Sequence, residues 1–173
     1  MKIGILSDTH KKVNLTKITL EFLLAEGVEF LIHAGDIVEV EILELLAKSG
    51  VPYVAVYGNN DAHLVQYHND YNLVQEPHYF KLANTTFKLM HLPFYLSPDA
   101  EIVIFGHTHQ FEVEYNKGTL YLNSGEVCAR SKPLSECVVL EVKEKNLHVN
   151  YFTRKKEKKY KLKESFKYKR QKK

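Results

Sequence analysis

The first sixty residues of the chain contain three short apolar runs, and each run ends in a turn of small and polar residues. The runs cover residues 2–6, 30–33 and 53–57. Two segments with helical spacing separate them, one with Asn14 as its N-cap and an end near Glu26, and one over residues 39–49. The residues expected on the buried face of the first helix are Leu15, Ile18, Phe22 and Ala25. Strands that alternate with helices in this way favour a parallel sheet with crossover helices, so the pattern predicts an α/β fold.

The second half of the chain predicts strands and no strong helix. The predicted strands cover residues 79–82, 86–90, 102–105, 112–115, 119–122, 137–142 and 147–152. An α/β first half and a β-rich second half together indicate two packed sheets with helices outside them. Apolar periodicity fades after Thr153. We therefore expect one domain over residues 1–153, followed by a basic, flexible tail over residues 154–173.

Charge is distributed unevenly between these two parts. The formal net charge is +3, but the segment 154–173 alone holds 12 Lys or Arg residues and only two acidic residues, Glu157 and Glu164. The remaining body is acidic, as expected where carboxylates gather around cations. The tail has two interpretations. Its lysines with Tyr160, Phe166 and Tyr168 can contact phosphates and stack on the bases of a nucleic acid, or the tail is simply a solvated, disordered segment.

Composition also bears on the compartment. The two cysteines, Cys128 and Cys137, do not make a secreted disulfide framework. The apolar run at residues 3–6 is too short for a signal peptide, and no run approaches the ~20 apolar residues of a membrane helix. We therefore expect a cytoplasmic protein without a membrane partner, and association of identical chains into a homo-oligomer stays open.

Side chains that can bind metals directly follow five of the predicted strands. These side chains are Asp8, His10, Asp36, Asn59, His91, His107 and His109. The carboxyl ends of parallel strands collect at one edge of a sheet, so residues that are distant in sequence can converge there. Carboxylates, imidazoles and an amide without thiolates suit Mn²⁺, Fe²⁺, Co²⁺, Ni²⁺ or Zn²⁺. Seven donors exceed the needs of one tetrahedral site and suit two ions that share a bridging carboxylate.

Each of these pieces also has an ordinary structural explanation. An Asp-x-His after a strand is commonly a turn or a helix cap, and Gly58-Asn59-Asn60-Asp61 is typical of a tight turn. A single histidine such as His91 is commonly a satisfied residue near the core. Five pieces in this order after strand ends rarely arise together, and for this reason the metal centre is the better interpretation.

Four segments carry a resemblance to a known family. They are Met1 to His10 (MKIGILSDTH), His33-Ala34-Gly35-Asp36, Tyr57-Gly58-Asn59-Asn60-Asp61 and Phe105-Gly106-His107-Thr108-His109. They resemble the signature blocks of the calcineurin-like metallophosphoesterases, and in particular the small single-domain bacterial and archaeal phosphodiesterases. The resemblance covers about residues 1–150. It implies a four-layer αββα sandwich, in which two mixed β-sheets are flanked by helices.

The resemblance also implies a ligand set for two divalent ions. Metal one would be held by Asp8, His10, Asp36 and His109, and metal two by Asp36, Asn59, His91 and His107, with Asp36 as the bridge. Mn²⁺ is the expected ion, and Ni²⁺, Fe²⁺, Co²⁺ and Zn²⁺ are alternatives. The segment Asn123-Ser124-Gly125 resembles a further block of the family, so Asn123 is a candidate for positioning the phosphate of the substrate.

The chain departs from the family pattern at two places. Larger members have a histidine after the ligating Asn that assists the leaving group, whereas this chain has Asn60; His63 is the candidate substitute acid. His91 stands in Met90-His91-Leu92-Pro93 instead of a Gly-His context, and the segment 92–100 is too short for the usual helix. We therefore expect a cleft without a lid, with residues 92–94 at its rim.

These features predict a phosphodiesterase that cleaves a P–O bond of a phosphate ester by attack of a metal-activated hydroxide. The candidate catalytic residues are Asp36, Asn59, Asn60 and His63, and the candidate substrate-binding residues are Asn60 and Asn123. Two alternatives remain. One is a catalytically weak or inactive protein-interaction scaffold of the same fold, and the other is a nucleic-acid-processing enzyme that uses the basic tail.

Overall fold

The computed structural model of the protein describes residues 1–171. A seven-stranded sheet is built around the first apolar run, in the strand order β12-β11-β10-β1-β2-β3-β4. Its strands are β1 (Lys2–Leu6), β2 (Phe30–His33), β3 (Tyr53–Val56), β4 (Leu73–Val74), β10 (Leu134–Val142), β11 (Asn146–Lys155) and β12 (Lys161–Lys169). Strands β1 to β4 are parallel, and β10 to β12 add antiparallel strands on the other side of β1. The short strand β4 was absent from the prediction.

The second sheet has five strands in the order β5-β6-β7-β9-β8. They are β5 (His78–Leu82), β6 (Thr85–Leu89), β7 (Ile102–Phe105), β8 (Phe111–Asn116) and β9 (Thr119–Ser124). The central strands β6, β7 and β9 are parallel, while β5 and β8 pair antiparallel at the edges. Both sheets are therefore mixed. In both of them, parallel strands end at the edge of the molecule where the seven candidate ligands lie.

The two sheets pack face to face through an apolar core. Its buried side chains include Ile3, Ile5, Val54, Val56, Phe87, Leu89, Ile104, Leu122, Val138 and Leu140. A second core lies on the outer face of the seven-stranded sheet, where the helices α1 (Val13–Ala25) and α2 (Val40–Ala47) and the 3₁₀ helix Ala62–Tyr67 pack. The alternation of side chains along each strand supplies both cores, because successive residues point to opposite faces.

Helix α1 confirms its predicted face in part, since Leu15, Ile18 and Phe22 are half-buried and pack against the outer core, but other residues are buried more deeply. Its N-cap is Lys12 and not Asn14, and the residues that it buries are Thr16, Thr19, Leu20 and Leu23. Ala25, which was expected inside, is exposed. The physical reason is tertiary: Tyr160 from the C-terminal segment lies against the helix, with its hydroxyl 2.7 Å from Thr19 Oγ1. Local apolar spacing therefore predicts most of the residues of this helix that contact the core, but not the ones that are buried most deeply.

The α/β class and the two mixed sheets with flanking helices confirm the predicted fold class. All helices that the structure describes lie before His68 and pack on the seven-stranded sheet. The outer face of the five-stranded sheet has a small cluster around Met90, Val103 and Phe105 instead. The segment 92–100 contains no helix, as its length predicted, and it leaves Phe94 exposed.

The basic C-terminal segment differs from the flexible tail that the sequence predicted. Strand β12 pairs antiparallel with β11, and Phe166 and Tyr168 pack against the core between the sheets. Its lysines lie on the solvent side of an edge strand, where charged side chains discourage association with other strands. The many lysines therefore made the alternation of half-buried and exposed residues in this segment hard to recognise in the sequence. Of the predicted tail, residues 172 and 173 lie outside the described residues.

Within residues 1–171, no helix is both long enough and apolar enough to cross a membrane.

Candidate metal centre

The ends of five strands from both sheets meet at one edge of the molecule. Strands β1, β2 and β3 lead to Asp8, Asp36 and Asn59, while β6 and β7 lead to His91 and His107. Backbone hydrogen bonds join these loops, with Asp8 N 3.0 Å from Gly35 O and Gly106 N 3.1 Å from His91 O. The site is therefore built across the two sheets and not within one of them.

Many residues at this edge have an uncommon backbone conformation. Positive φ angles occur at Asp8, His10, Asp36, His107 and His109. Non-glycine residues rarely adopt this region, and where they do, the surrounding contacts must hold them there. The loops also approach each other closely, since a Cβ on Gly58 would lie 2.2 Å from Asp36 N. This tight packing turns the polar side chains toward a common point.

The first cluster consists of Asp8, His10, Asp36 and His109, whose candidate ligand atoms all lie within 4.8 Å of one another. His109 Nε2 lies 3.3 Å from Asp8 Oδ1, and His10 Nε2 lies 3.7 Å from Asp36 Oδ2. The Nε2 atoms of His10 and His109 are 3.4 Å apart. Two carboxylates and two imidazoles therefore surround one small volume.

The second cluster consists of Asp36, Asn59, His91 and His107. Asn59 Oδ1 lies 3.0 Å from His91 Nε2 and 3.1 Å from His107 Nδ1. His91 Nε2 also lies 3.5 Å from Asp36 Oδ2. The same oxygen of Asp36 thus faces both clusters, and the two clusters together contain the seven side chains singled out in the sequence.

The hydrogen-bond partners of the imidazoles indicate where their lone pairs point. His91 Nδ1 lies 2.8 Å from the carbonyl oxygen of Ala34, so this nitrogen carries the proton and Nε2 is left as an acceptor. His109 Nδ1 lies against the carboxylate of Glu126 in the same way, and its Nε2 faces Asp8 Oδ1. That oxygen is buried and has no hydrogen-bond donor among the described residues. Acceptors that face one another in this way fit a divalent cation between them.

The pKa values of the two aspartates in the first cluster are shifted in opposite directions: that of Asp8 is raised, and that of Asp36 is lowered. Burial raises the pKa of Asp8, and the hydroxyl of Ser7 opposes only part of this effect. Burial also acts to raise the pKa of Asp36, but the contact of its Oδ2 with His91 and the hydrogen bonds from Asn60 outweigh it and hold this pKa well below its usual range. Asp36 is therefore an anion that could bridge two cations, whereas burial opposes the charge of Asp8, which a bound cation would stabilise.

His33 is close to this edge but does not belong to either cluster. It is fully buried, its Nε2 lies 2.9 Å from Thr9 Oγ1, and burial lowers its pKa to about 3. It is a neutral histidine that supports the loop after β2.

A sequence profile of the calcineurin-like phosphoesterase superfamily domain matches residues 1–145. The chain belongs to the calcineurin-like phosphoesterase superfamily. A phosphodiesterase of Methanocaldococcus jannaschii is 27% identical over 158 residues, which cover 84% of this chain and 95% of that protein. The family is metal-dependent, and all the candidate ligands except His91 lie in the segments that carry the family resemblance.

Two solved structures show that the same fold occurs in vacuolar protein sorting 29. The protein from Cryptosporidium parvum has a TM-score of 0.80 at 16% identity, with 98% of each chain covered. Vps29 of Entamoeba histolytica, complexed with zinc, has a TM-score of 0.67 at 17% identity, with 98% of this chain and 99% of that chain covered. At these identities the likeness concerns the fold alone.

Three acidic residues that support the clusters were not singled out in the sequence. Glu126 accepts a hydrogen bond from His109, and Glu76 accepts one from the backbone N–H of His91 and, at 2.9 Å, one from that of Leu92. The carboxylate of Asp61 accepts hydrogen bonds from the backbone N–H groups of Ile37, Val38 and Gly58 at 2.7–3.1 Å. These bonds connect the loop after β2 to the loop after β3. Only Asp61 had a signal, because it ends the Gly58-Asn59-Asn60-Asp61 segment.

The remaining candidate residues have partners within the protein. Asn60 donates hydrogen bonds through N and Nδ2 to the two oxygens of Asp36, at 3.0 and 2.8 Å. His63 Nε2 lies 2.6 Å from Val38 O. Asn123 is buried, with Nδ2 3.0 Å from Gly106 O and Oδ1 2.9 Å from Gly125 N. Asn60 therefore orients the carboxylate that faces both clusters, and the contacts of Asn123 favour a role in loop structure over one in substrate binding.

Proposed function

We propose that this protein is a phosphodiesterase that uses two divalent cations, one in each cluster, with Asp36 shared between them. The single observation that supports this most strongly is the position of Asp36 Oδ2, within 3.7 Å of His10 Nε2 in the first cluster and within 3.5 Å of His91 Nε2 in the second. A low pKa suits a bridging ligand, because the carboxylate stays charged at any pH at which the histidines are neutral.

Two cations held in these clusters would supply positive charge for the phosphoryl oxygens and would lower the pKa of a nearby water. The protein's own residues hold the arrangement. Asn60 keeps both oxygens of Asp36 in place. Ala34 O and Glu126 keep the protons of His91 and His109 on Nδ1, so that each Nε2 is free to bind.

The rim of the site favours diesters over small monoesters. His107 and Asn59 are exposed, and the nearby segment 92–100 contains no helix that would close over them. A site of this shape admits a phosphate with a substituent on each side. We therefore propose phosphodiesters as the substrate class, with His63 or a water as the source of the leaving-group proton. Mn²⁺ is the proposed ion, and the zinc complex of the Entamoeba Vps29 makes Zn²⁺ the first alternative.

The proposal is tested by an activity panel on the purified protein. Bis(p-nitrophenyl) phosphate and p-nitrophenyl phosphate are assayed after chelation and after addition of Mn²⁺, Zn²⁺ or Ni²⁺. We expect hydrolysis of the diester only with added metal, and a loss of at least ~100-fold in His107→Ala, because His107 belongs to the second cluster. Asn116→Ala, at the exposed last residue of β8, is the control and should retain the wild-type rate. An active chelated protein, or a fully active His107→Ala, would contradict the proposal.

A second candidate function is that of a protein-interaction scaffold, and one observation favours it. Phe94 and Tyr95 are 71% and 67% exposed in adjacent positions of the segment 92–100, where an apolar partner surface would cover them. The complete set of metal-binding side chains is the reason to place catalysis first. If the activity panel finds no hydrolysis with any ion, the scaffold becomes the better interpretation.

A further inference from the structure

A cavity of about 800 Å³ opens beside the first cluster. His10 lies in its wall, and so does Cys128, whose Sγ is within 4.8 Å of the ligand atoms of His10 and His109. A molecule that places a phosphate on the first cluster therefore has room to extend into this cavity. We call it the basic pocket, because of the side chains that line it.

Five cationic side chains line the basic pocket: Lys11, Lys12, Arg130, Arg154 and Lys156. They come from three separate segments, namely the loop after β1, the loop before β10, and the end of β11. In the part of the chain that the structure describes, none of the five forms an ion pair with an acidic residue. Several unpaired positive charges around one concave surface repel one another and attract an anion.

A neighbouring lysine shows that this lack of partners is specific to the pocket. Lys132 lies in the same loop as Arg130, but its Nζ is 2.8 Å from Glu136 Oε2 and 2.8 Å from His109 O. The loop thus provides an acidic partner for Lys132, which contacts the loop of the first cluster, and none for Arg130, which lines the pocket. An external anion would fill the missing role, and phosphate matches the planar donors of two arginines.

Apolar side chains also line the basic pocket. They are Leu15, Pro133 and Leu134, so a ligand that fills the pocket combines a negative charge with a less polar body. A nucleoside phosphate has both parts: its phosphate suits the cationic side chains, and the faces of its sugar and base suit aliphatic side chains and guanidinium planes. A free inorganic anion would leave the apolar side chains without a contact.

We propose that the basic pocket binds the nucleoside phosphate next to the scissile bond, and that the substrates are therefore nucleotidyl phosphodiesters, either short single strands or dinucleotides. This inference rests on the proposed phosphodiesterase function. It assigns to Arg154 and Lys156, at the start of the basic segment, a role beside the metal centre. Strand β12, which follows them, lies outside the pocket.

The test compares two double variants that remove the same charge. Arg130→Gln with Lys156→Gln changes the pocket, whereas Lys81→Gln with Lys167→Gln changes two exposed strand lysines outside it. Binding of a fluorescein-labelled thymidine tetranucleotide to the full-length protein is measured by fluorescence anisotropy over a series of salt concentrations. We expect the pocket variant to raise Kd at least ~10-fold and to reduce the salt slope by about 1.4, the value for two lost contacts with a single strand. The control variant should change Kd less than ~2-fold.

Competition and kinetics complete the design. Unlabelled dinucleotide and tetranucleotide are then compared as competitors. Equal inhibition by the two indicates that a dinucleotide fills the pocket, whereas stronger inhibition by the tetranucleotide indicates that a longer single strand is bound. The kinetic test measures kcat/KM with Mn²⁺ for two esters, the p-nitrophenyl ester of thymidine 5′-phosphate and bis(p-nitrophenyl) phosphate. The ratio of the first value to the second should fall ~10-fold in the pocket variant and stay unchanged in the control variant.

Equal weakening of oligonucleotide binding in both double variants would overturn the pocket, since it would reflect net charge alone. No detectable binding by the wild type would overturn it as well. Selective loss of binding in a protein that hydrolyses neither ester would instead remove the proposed function and leave the pocket in place.

Discussion

Asp36 is the residue on which both clusters depend. Its Oδ2 faces His10 on one side and His91 on the other, and Asn60 Nδ2 donates a hydrogen bond to the same oxygen at 2.8 Å. A left-handed backbone conformation and the close approach of Gly58 hold the carboxylate in this position. The neighbouring residues therefore determine the orientation of this carboxylate, and no single strand could do so.

Replacing Asp36 should remove both metal ions together. We expect Asp36→Ala, measured by elemental analysis after dialysis, to contain fewer than ~0.2 ions per chain, because each cluster loses a negatively charged ligand. Asp70→Ala, an exposed position in the loop before β4, is the matched control and should keep the wild-type content. Two ions still bound to a folded Asp36→Ala would show that the carboxylate is not a shared ligand.

Glu126 acts on the first cluster through His109. Its carboxylate accepts the Nδ1 proton of His109 and also receives the backbone N–H groups of Ser131 and Lys132 at 2.7 and 2.9 Å. Burial acts to raise the pKa of Glu126, but these hydrogen bonds lower it overall, so the group stays charged. A charged partner makes the imidazole a stronger ligand.

We expect Glu126→Gln to weaken metal binding at the first cluster by roughly 10- to 100-fold and to leave the second cluster nearly unchanged. A two-step metal titration by calorimetry resolves the two sites. Glu144→Gln, at an exposed position between β10 and β11, serves as the control. If both binding steps weaken equally, Glu126 supports the fold in general and not His109 in particular.

At the scale of the elements, the C-terminal segment completes the seven-stranded sheet and covers helix α1. Tyr160 is buried, its ring stacks on Phe22 with centroids 4.6 Å apart, and its hydroxyl lies 2.7 Å from Thr19 Oγ1. On the other face of the sheet, Tyr168 stacks on Tyr115 of β8 with centroids 5.2 Å apart. The segment thus contacts both cores, and this explains why a lysine-rich sequence is ordered.

Tyr160 provides a test of this role. We expect Tyr160→Ala to lower the free energy of unfolding by ~3–5 kcal/mol, the usual cost of removing a buried aromatic side chain. Tyr160→Phe should cost only ~0.5–1.5 kcal/mol, because it loses one hydrogen bond. Tyr95→Ala is the exposed aromatic control. Thermal unfolding followed by circular dichroism measures all three variants, and equal Tm values for Tyr160→Ala and the wild type would contradict the packing.

At the scale of the whole molecule, the candidate metal centre lies where the two sheets meet. Asp8, Asp36 and Asn59 come from the seven-stranded sheet, and His91 and His107 from the five-stranded sheet. Ions bound between them would connect the two halves of the core. A ligand that binds only the folded state stabilises it by an amount that grows with its concentration.

Metal should therefore raise the stability of the entire domain in one transition. At a free metal concentration of ~1,000 Kd the gain is about 4 kcal/mol, which corresponds to a rise in Tm of roughly 8–16 °C for a domain of this size. Differential scanning calorimetry with and without a chelator measures the shift. Asp36→Ala should show almost none, whereas an equal shift in that variant would place the stabilising ions elsewhere.

The sequence by itself determined the strands β1, β2 and β3 and the polar residues that follow them. Short β-branched and apolar runs that end in turns are typical of buried strands, and Asp8, Asp36, Asn59 and His107 follow such runs at positions where the carboxyl ends of parallel strands meet. The same reasoning explains why all seven candidate ligands could be named before the fold was known.

Tertiary structure alone decided the partners of these residues. Glu126 and Glu76 contact His109 and His91 because loops that are distant in sequence pack together, and no local pattern indicates such contacts. The buried face of α1 and the pairing of β12 depend in the same way on Tyr160 and on the free edge of β11. Periodicity indicates which side of a helix or strand is apolar, but burial and long-range hydrogen bonds depend on which other element packs against that side. For that reason the candidate ligands were predictable from the sequence, whereas the residues that contact them and the order of the basic segment were not.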